Sequence, residues 1–214
     1  MEETDIINLW KSFDKKLEEN LLLNKINAEE ITKIKVNSFL GSMKPIKIFT
    51  VVVGLIWVGF LDVIILNVFK VASPFFLFSA ILLVLVNKLA IGIYLYQLIL
   101  LYQVDISDTI LSTQEKIARL KSSTLWIARL LFLQLPVWTT FYWSKSMFDH
   151  GKPVLLFIQV VITLFFIMLA LWLFFNIRYQ NRDKKWFKFI FSGKEWTPAI
   201  KSMELLEQIT EYKN

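Results

Sequence analysis

Two charged residues stand where charge is costly in this 214-residue chain. Lys88 lies near the midpoint of PFFLFSAILLVLVNKLAIGIYLYQLILLYQ, residues 74–103, and Asp62 interrupts the apolar run from Ile46 to Phe69. An ionised side chain at the centre of a bilayer costs about 2.5–3.5 kcal/mol on translocon scales, so such residues mark a polar path, a ligand site or a buried ion pair. Counting from a turn near residue 71, Asp62 lies nine residues in and Lys88 seventeen. The axial offset is roughly 12 Å at about 1.5 Å per residue, the limit of what the two side chains can bridge, so a direct pair requires the helices to slide or tilt. Asp62, Asn87, Lys88 and Gln159 together could line a polar pocket or ion path. The competing reading is structural, with Asn87 and Gln134 or Gln159 hydrogen-bonding across helices to hold a bundle together.

Other chemistry is poorly supplied. The absence of cysteine excludes thiolate nucleophiles, disulfides and Cys-ligated metals. The single histidine, His150, excludes a multi-histidine metal site and stands in a turn without a neighbouring acid or serine arrangement. Asp105 and Asp108, one turn apart, could hold a divalent cation, but they read better as a cap and a dipole-favouring acid at a helix start. Nothing supplies a positioned nucleophile or base. The expectation is a non-enzymatic protein without cofactor or metal.

The elements that position these residues follow from composition. With 56% hydrophobic and 15% aromatic residues, the chain does not read as a soluble domain. It reads as all-α and polytopic, with spans at about 46–69, 75–103, 124–144 and 154–177 and amphipathic helices at both ends. The implied divisions are 1–44, a transmembrane domain 45–178, and an interfacial tail 179–214. Gly54 and Gly59 offer close helix approach in the first span, and Pro136 offers a kink in the third, which carries Arg129 near one end. The polar stretch 105–123 reads as helical extensions or a surface helix.

The net charge of +6 is read as topology. Lys33, Lys35, Lys44, Lys47, Lys116, Arg119, Lys121, Arg178, Arg182, Lys184, Lys185 and Lys188 fall on one side, and only Lys70, Lys145 and Lys152 on the other. This bias places both ends in the cytoplasm of an inner-membrane protein. In the tail, Lys184, Lys185 and Lys188 suit anionic headgroups, and Trp186, Phe187 and Phe189 suit acyl chains. Beside a membrane no direct nucleic-acid contact is expected of them. Thr197-Pro198 reads as a helix start, with Ile200, Met203, Leu206 and Ile209 forming its apolar face.

At the other end Glu2, Glu3 and Asp5 open the chain in place of a basic stretch and early apolar run, so a mature N-terminus is expected. Ile6, Trp10, Phe13, Leu17 and Leu21 recur at steps of four, three, four and four, which aligns them on one helical stripe, with Thr4 or Asp5 as its cap. A second helix is expected from Asn27, boxed with Glu30, carrying Ile31, Ile34 and Ser38 on one face, before a break at Gly41 and Pro45. So short a segment has no core of its own. Ile6, Trp10, Phe13 and Leu17 must pack on the C-terminal helix, a second copy, the membrane or a protein partner.

The stretch LWKSFDKKLEENLLLN, residues 9–24, followed by a polar helix and four spans, resembles the opening of a loosely defined group of bacterial membrane proteins often encoded beside extracytoplasmic-function sigma factors. The resemblance covers about the first 40 residues and the span pattern. It implies a regulatory, anti-sigma-like role in which the cytoplasmic helices bind a sigma-factor-like partner or a second copy. The competing function is a small ion or solute channel or transporter using Lys88 and Asp62.

Overall fold

The first helix is far longer than a membrane requires. In the computed structural model α1 runs unbroken from Glu3 to Val68, 66 residues, or near 100 Å at about 1.5 Å per residue. The expected helix start at Asn27 and break at Gly41 and Pro45 do not occur. Proline removes the hydrogen bond to the carbonyl four residues back and crowds it, and here that residue is Gly41, beside which the space is open. The two breakers therefore share one turn and remove one bond. Val36, Leu40, Met43 and Lys47 are buried on either side of the proline, so packing holds the helix in line across it.

The described residues are 3–104, 110–149, 151–193, 197–198, 200–202 and 204–205, with side chains from residue 7 in the first stretch and from 112 in the second. They form helices joined by short turns, without a strand. Helix α2 (Pro74–Gln103) starts with proline in its first turn and with the Ser73 hydroxyl accepting from the Phe76 amide, the pairing expected of a helix N-terminus. Helix α3 (Ile110–Leu133) carries most of the polar stretch straight into the third apolar segment. That segment is not one helix over 124–144. It ends at Leu133 and restarts as α4 (Leu135–Thr140), because Pro136 cannot donate to Phe132 and its ring crowds that carbonyl. A short α5 (Lys145–Asp149) precedes α6 (Pro153–Asn176), a 3-10 turn follows at Tyr179–Asn181, and α7 covers Lys185–Phe191.

The principal pairings are α1 with α2, α2 with α3 and α4, and α6 with α3 and α4. The helices thus form a row with α1 and α6 on its flanks. Both flanks expose large apolar residues along their length, Phe49, Ile56 and Leu66 on α1 and Phe157, Phe165 and Met168 on α6. Apolar surface on this scale is not left to water. Among the described residues three helices, α1, α2 and α6, are long and apolar enough to cross a bilayer.

Three buried clusters hold the row. Val51, Val58 and Leu61 of α1 meet Leu83, Ile91 and Tyr94 of α2 together with Ile127. Val36, Leu40 and Met43 meet Leu100, Leu101, Ile117 and Leu120, with Leu205 against them. Ala128, Leu173 and Ile177 enclose Phe187 and Phe191. Of the two glycines expected to allow close approach, Gly54 does: a Cβ there would lie 3.1 Å from Ile91 Cγ1, whereas Gly59 faces open space.

The second cluster ties down the part of α1 outside the apolar span, and this is directly measurable. Leu40→Ala is expected to destabilise the chain by about 2–5 kcal/mol, and Leu22→Ala, on the exposed part of the same helix, by less than about 0.5 kcal/mol. Chemical unfolding of the detergent-solubilised chain reads the difference, and equal losses would show that residues 7–28 pack on the chain after all.

Candidate functional site

From Ile7 to Ala28 every side chain of α1 is exposed. Trp10, Phe13 and Leu17 are 67, 58 and 60% exposed, and Leu21, also exposed, continues the stripe. The backbone of Ile6 continues the same helix, and its side chain lies outside the described residues. At about 100° per residue, the Trp10–Phe13–Leu17 stripe sits roughly a third of a turn around α1 from the Val36–Leu40–Met43–Lys47 seam. It is therefore not a continuation of the face α1 uses against its own chain. The C-terminal segment docks further along, with Leu205 on the Val36–Leu40 cluster and Lys201 over the Phe39 ring. Among the described residues, nothing covers the stripe.

The intramembrane residues are arranged differently. Lys88 Nζ lies 3.1 Å from Asp62 Oδ2, bridging α2 and α1. The offset counted from sequence is closed by side-chain direction. Cα–Cβ bonds tilt towards the N-terminus of their own helix, so in an antiparallel hairpin Asp62 leans away from the turn and Lys88 leans towards it. Asn87 does not bond across helices; its Nδ2 donates to Leu83 O in its own helix. Gln159 does, donating from α6 to Thr139 O of α4 at 2.8 Å. The four residues are not gathered into one lined path. Asp62 and Lys88 bridge α1 and α2, and Gln159 lies between α4 and α6.

Cross-helix polar contacts also fall on residues that sequence reasoning did not single out. The Ser79 and Thr140 hydroxyls share a 2.7 Å hydrogen bond between α2 and α4, and Ser73 Oγ donates to Trp143 O. Arg129 donates from Nε and Nη2 to Ile177 O, at 2.8 and 2.6 Å, satisfying a carbonyl at the end of α6. Scattered Ser and Thr in apolar helices carry no pattern by which to choose the bonding pairs; only the basic character of Arg129 in an apolar segment gave a signal.

Basic residues sit over aromatic rings towards one end of the row. Lys47 is fully buried with its ammonium 4.5 Å from the Tyr94 ring. Lys44 lies over Tyr102, and Lys121 and Arg182 over Tyr179. From this belt at Tyr94 to the start of α2 at Pro74 is about 30 Å at 1.5 Å per residue, the thickness of a hydrocarbon core. The tail residues lie beside it. Phe187 is buried against Phe191 at 4.2 Å instead of facing acyl chains, because both rings fill the space at the end of α6. Trp186 packs on Trp172 at 5.1 Å. Lys184, Lys185, Lys188 and Phe189 point outward. Asp105, Asp108 and His150 lie outside the described residues, as do Met203, Leu206 and Ile209.

Comparison of the chain with protein-family models, curated proteins and solved structures finds no match.

The Asp62–Lys88 contact has a measurable consequence. Lys88→Met alone leaves a carboxylate at an apolar surface and is expected to destabilise the chain by about 1–3 kcal/mol, while Asp62→Leu combined with Lys88→Met recovers most of the loss. A double-mutant cycle in detergent or nanodiscs checks this, and additive losses would rule out the interaction.

Proposed function

We propose that this chain is a non-enzymatic bacterial inner-membrane protein that recruits a soluble cytoplasmic protein through the N-terminal arm of α1. In this reading the chain crosses the bilayer four times, in α1, α2, the broken α3–α4 pair and α6, with both ends in the cytoplasm. The one-sided distribution of Lys and Arg supports that orientation. The observation that carries the functional reading is the bare arm: a helix continuous with a membrane-spanning segment that presents Trp10, Phe13 and Leu17 on a face its own chain does not use.

An amphipathic helix with apolar residues at such spacings is the form in which helices enter grooves on partner proteins. Aromatic anchors supply most of the energy of such contacts. Ile6, Trp10, Phe13 and Leu17 are the proposed anchors, flanked by Lys11, Asp14, Lys15, Lys16, Glu18 and Glu19, mixed charges suited to a polar rim. The resemblance of residues 9–24 to proteins encoded beside sigma factors makes a sigma-factor-like regulator the first candidate partner. A small channel or transporter using Lys88 and Asp62 is the second reading, favoured by the intramembrane ion pair itself.

Replacing Phe13 with a photo-crosslinking residue is expected to yield an adduct with a soluble protein in native membranes, and the same probe at Lys15, on the opposite face, is not. Trp10→Ala with Phe13→Ala is expected to weaken that partner's binding by about 100-fold or more without altering membrane insertion. Adducts containing only further copies of the chain, or full partner recovery by the double variant, overturn the recruitment reading. Ion or solute flux abolished by Lys88→Met in vesicles would establish the channel reading in its place.

A further inference from the structure

The face of α2 and α3 that turns away from the row's interior carries a groove of about 590 Å³ lined by Lys88, Gly92 and Tyr96 of α2 and Arg119, Ser122 and Trp126 of α3. We propose that it binds an anionic phospholipid, with the phosphate on Arg119 and Ser122 and an acyl chain along Gly92 and Trp126. The inference concerns a surface other than the N-terminal arm and does not depend on partner recruitment.

Depth supports the assignment. The belt at Tyr94 and Lys121 marks the boundary of the apolar zone. Arg119 lies two residues beyond it, at headgroup level, and Ser122 one residue inside. Gly92 and Trp126 line the upper acyl region, and Lys88 is six residues, about 9 Å, below Tyr94. Arg119 and Ser122 thus stand at the level of a phosphate and its glycerol, Gly92 and Trp126 at the level of the acyl chain below them, and Lys88 deeper still, held by Asp62. Gly92 keeps the floor of the groove open, since a Cβ at this position would meet nothing within 4 Å. Leu89 and Ile93 extend the apolar wall.

The charge balance selects an anion. Arg119 Nη2 donates to Glu115 at 2.7 Å. This hydrogen bond and the charge of Glu115, with Tyr96 adding to them, hold the guanidinium above its ordinary pKa, so it remains a cation at any physiological pH. Guanidinium carries five N–H donors in a fixed fork suited to phosphate. Lys88, deeper than Gly92, is held by Asp62, which leaves Arg119 as the cation of the groove at headgroup depth. Lys116 stands one turn before Arg119 on α3, so Lys88, Lys116 and Arg119 are set against the acids Asp62 and Glu115, whereas Lys121 turns away to Tyr179. Ser122 is the hydroxyl that can donate, because Ser123 Oγ already donates to Leu120 O. Basic clefts between helices near the cytoplasmic face are the kind of site that takes acidic headgroups. A free phosphate would use Arg119 and Ser122 but leave the apolar wall of Leu89, Ile93 and Trp126 uncovered, which favours the lipid.

The test is native mass spectrometry of the full chain released from nanodiscs of phosphatidylcholine containing phosphatidylglycerol. The expected result is a retained phosphatidylglycerol adduct and no phosphatidylcholine adduct. Retention should fall about tenfold in Arg119→Gln/Ser122→Ala and in Gly92→Leu, which fills the groove, with helical content unchanged in both. Glu115→Gln should raise it by freeing the guanidinium. Equal retention of phosphatidylcholine, or unchanged phosphatidylglycerol retention in both groove variants, overturns the proposal. Displacement of the lipid by millimolar inorganic phosphate would mark a phosphate site and overturn the lipid assignment.

Discussion

The antiparallel seam between α1 and α2 is the contact on which the rest of the architecture depends. Helix α2 is the only one that meets α1, α3 and α4 in the principal pairings, and α1 is held to the row through it. Between apolar helices in an apolar solvent the hydrophobic effect offers little, so close packing and polar contacts must do the holding. The seam uses both. Gly54 admits Ile91, while Val51, Val58 and Leu61 interleave with Leu83 and Tyr94. Cations on both helices fix it along its length: Lys44 over Tyr102 and Lys47 over Tyr94 from α1, and Lys88 on Asp62 from α2. A slide of one helix past the other would separate all of these pairs.

Because α1 does not stop at the membrane boundary, that seam also positions the arm. Residues 36–47 are clamped by α2, α3 and Leu205, and everything N-terminal to them extends from this clamp as one helix. A short isolated helix is marginal in water. Continuity with a packed segment removes the nucleation cost, so the arm is helical before anything binds it. A partner groove then meets a preformed ligand and avoids much of the ordering entropy that weakens coupled folding. The stripe and the clamp lie on different faces of the same helix, so a partner on the arm does not compete with the contacts that hold α1 in place.

The spans at the edges and the hairpin between α1 and α2 were legible because proline at the first turn and a long apolar run are local signals, as at Pro74 and Pro153. The N-terminal stripe was legible for the same reason: periodicity on an unburied helix survives into the structure unchanged. Gly41 and Pro45 misled because breaker rules weigh each residue separately, whereas these two fall four apart and affect one hydrogen bond. The ion pair was borderline because counting rise per residue ignores the lean of each side chain towards its own N-terminus. Asn87 resembled a cross-helix donor, yet bonding back to Leu83 O satisfies it without a neighbour. Ser79 and Thr140 were invisible, since hydroxyls in apolar helices can always bond within their own helix, and which of them reaches across is set by packing alone.

The break between α3 and α4 explains the order of the row. Irregular backbone at membrane depth is tolerated only where protein covers it, because lipid offers no hydrogen-bond partner. The interrupted segment lies between α2 and α6, and both neighbours contribute polar contacts to it: Ser79 to Thr140 on one side and Gln159 to Thr139 O on the other. The two flanks, α1 and α6, need no such cover in the apolar zone. Helix α6 is unbroken and without charge from Pro153 to Asn176, and the proline of α1 falls at Pro45, on the polar side of Lys47. If the segment with Pro136 crosses the bilayer as proposed, its backbone is satisfied only by placing that segment inside, which leaves the intact helices to face the surroundings. The groove between α2 and α3 opens towards the belt end, away from the break, where the helices on both sides are complete and the polar groups that line it are side chains.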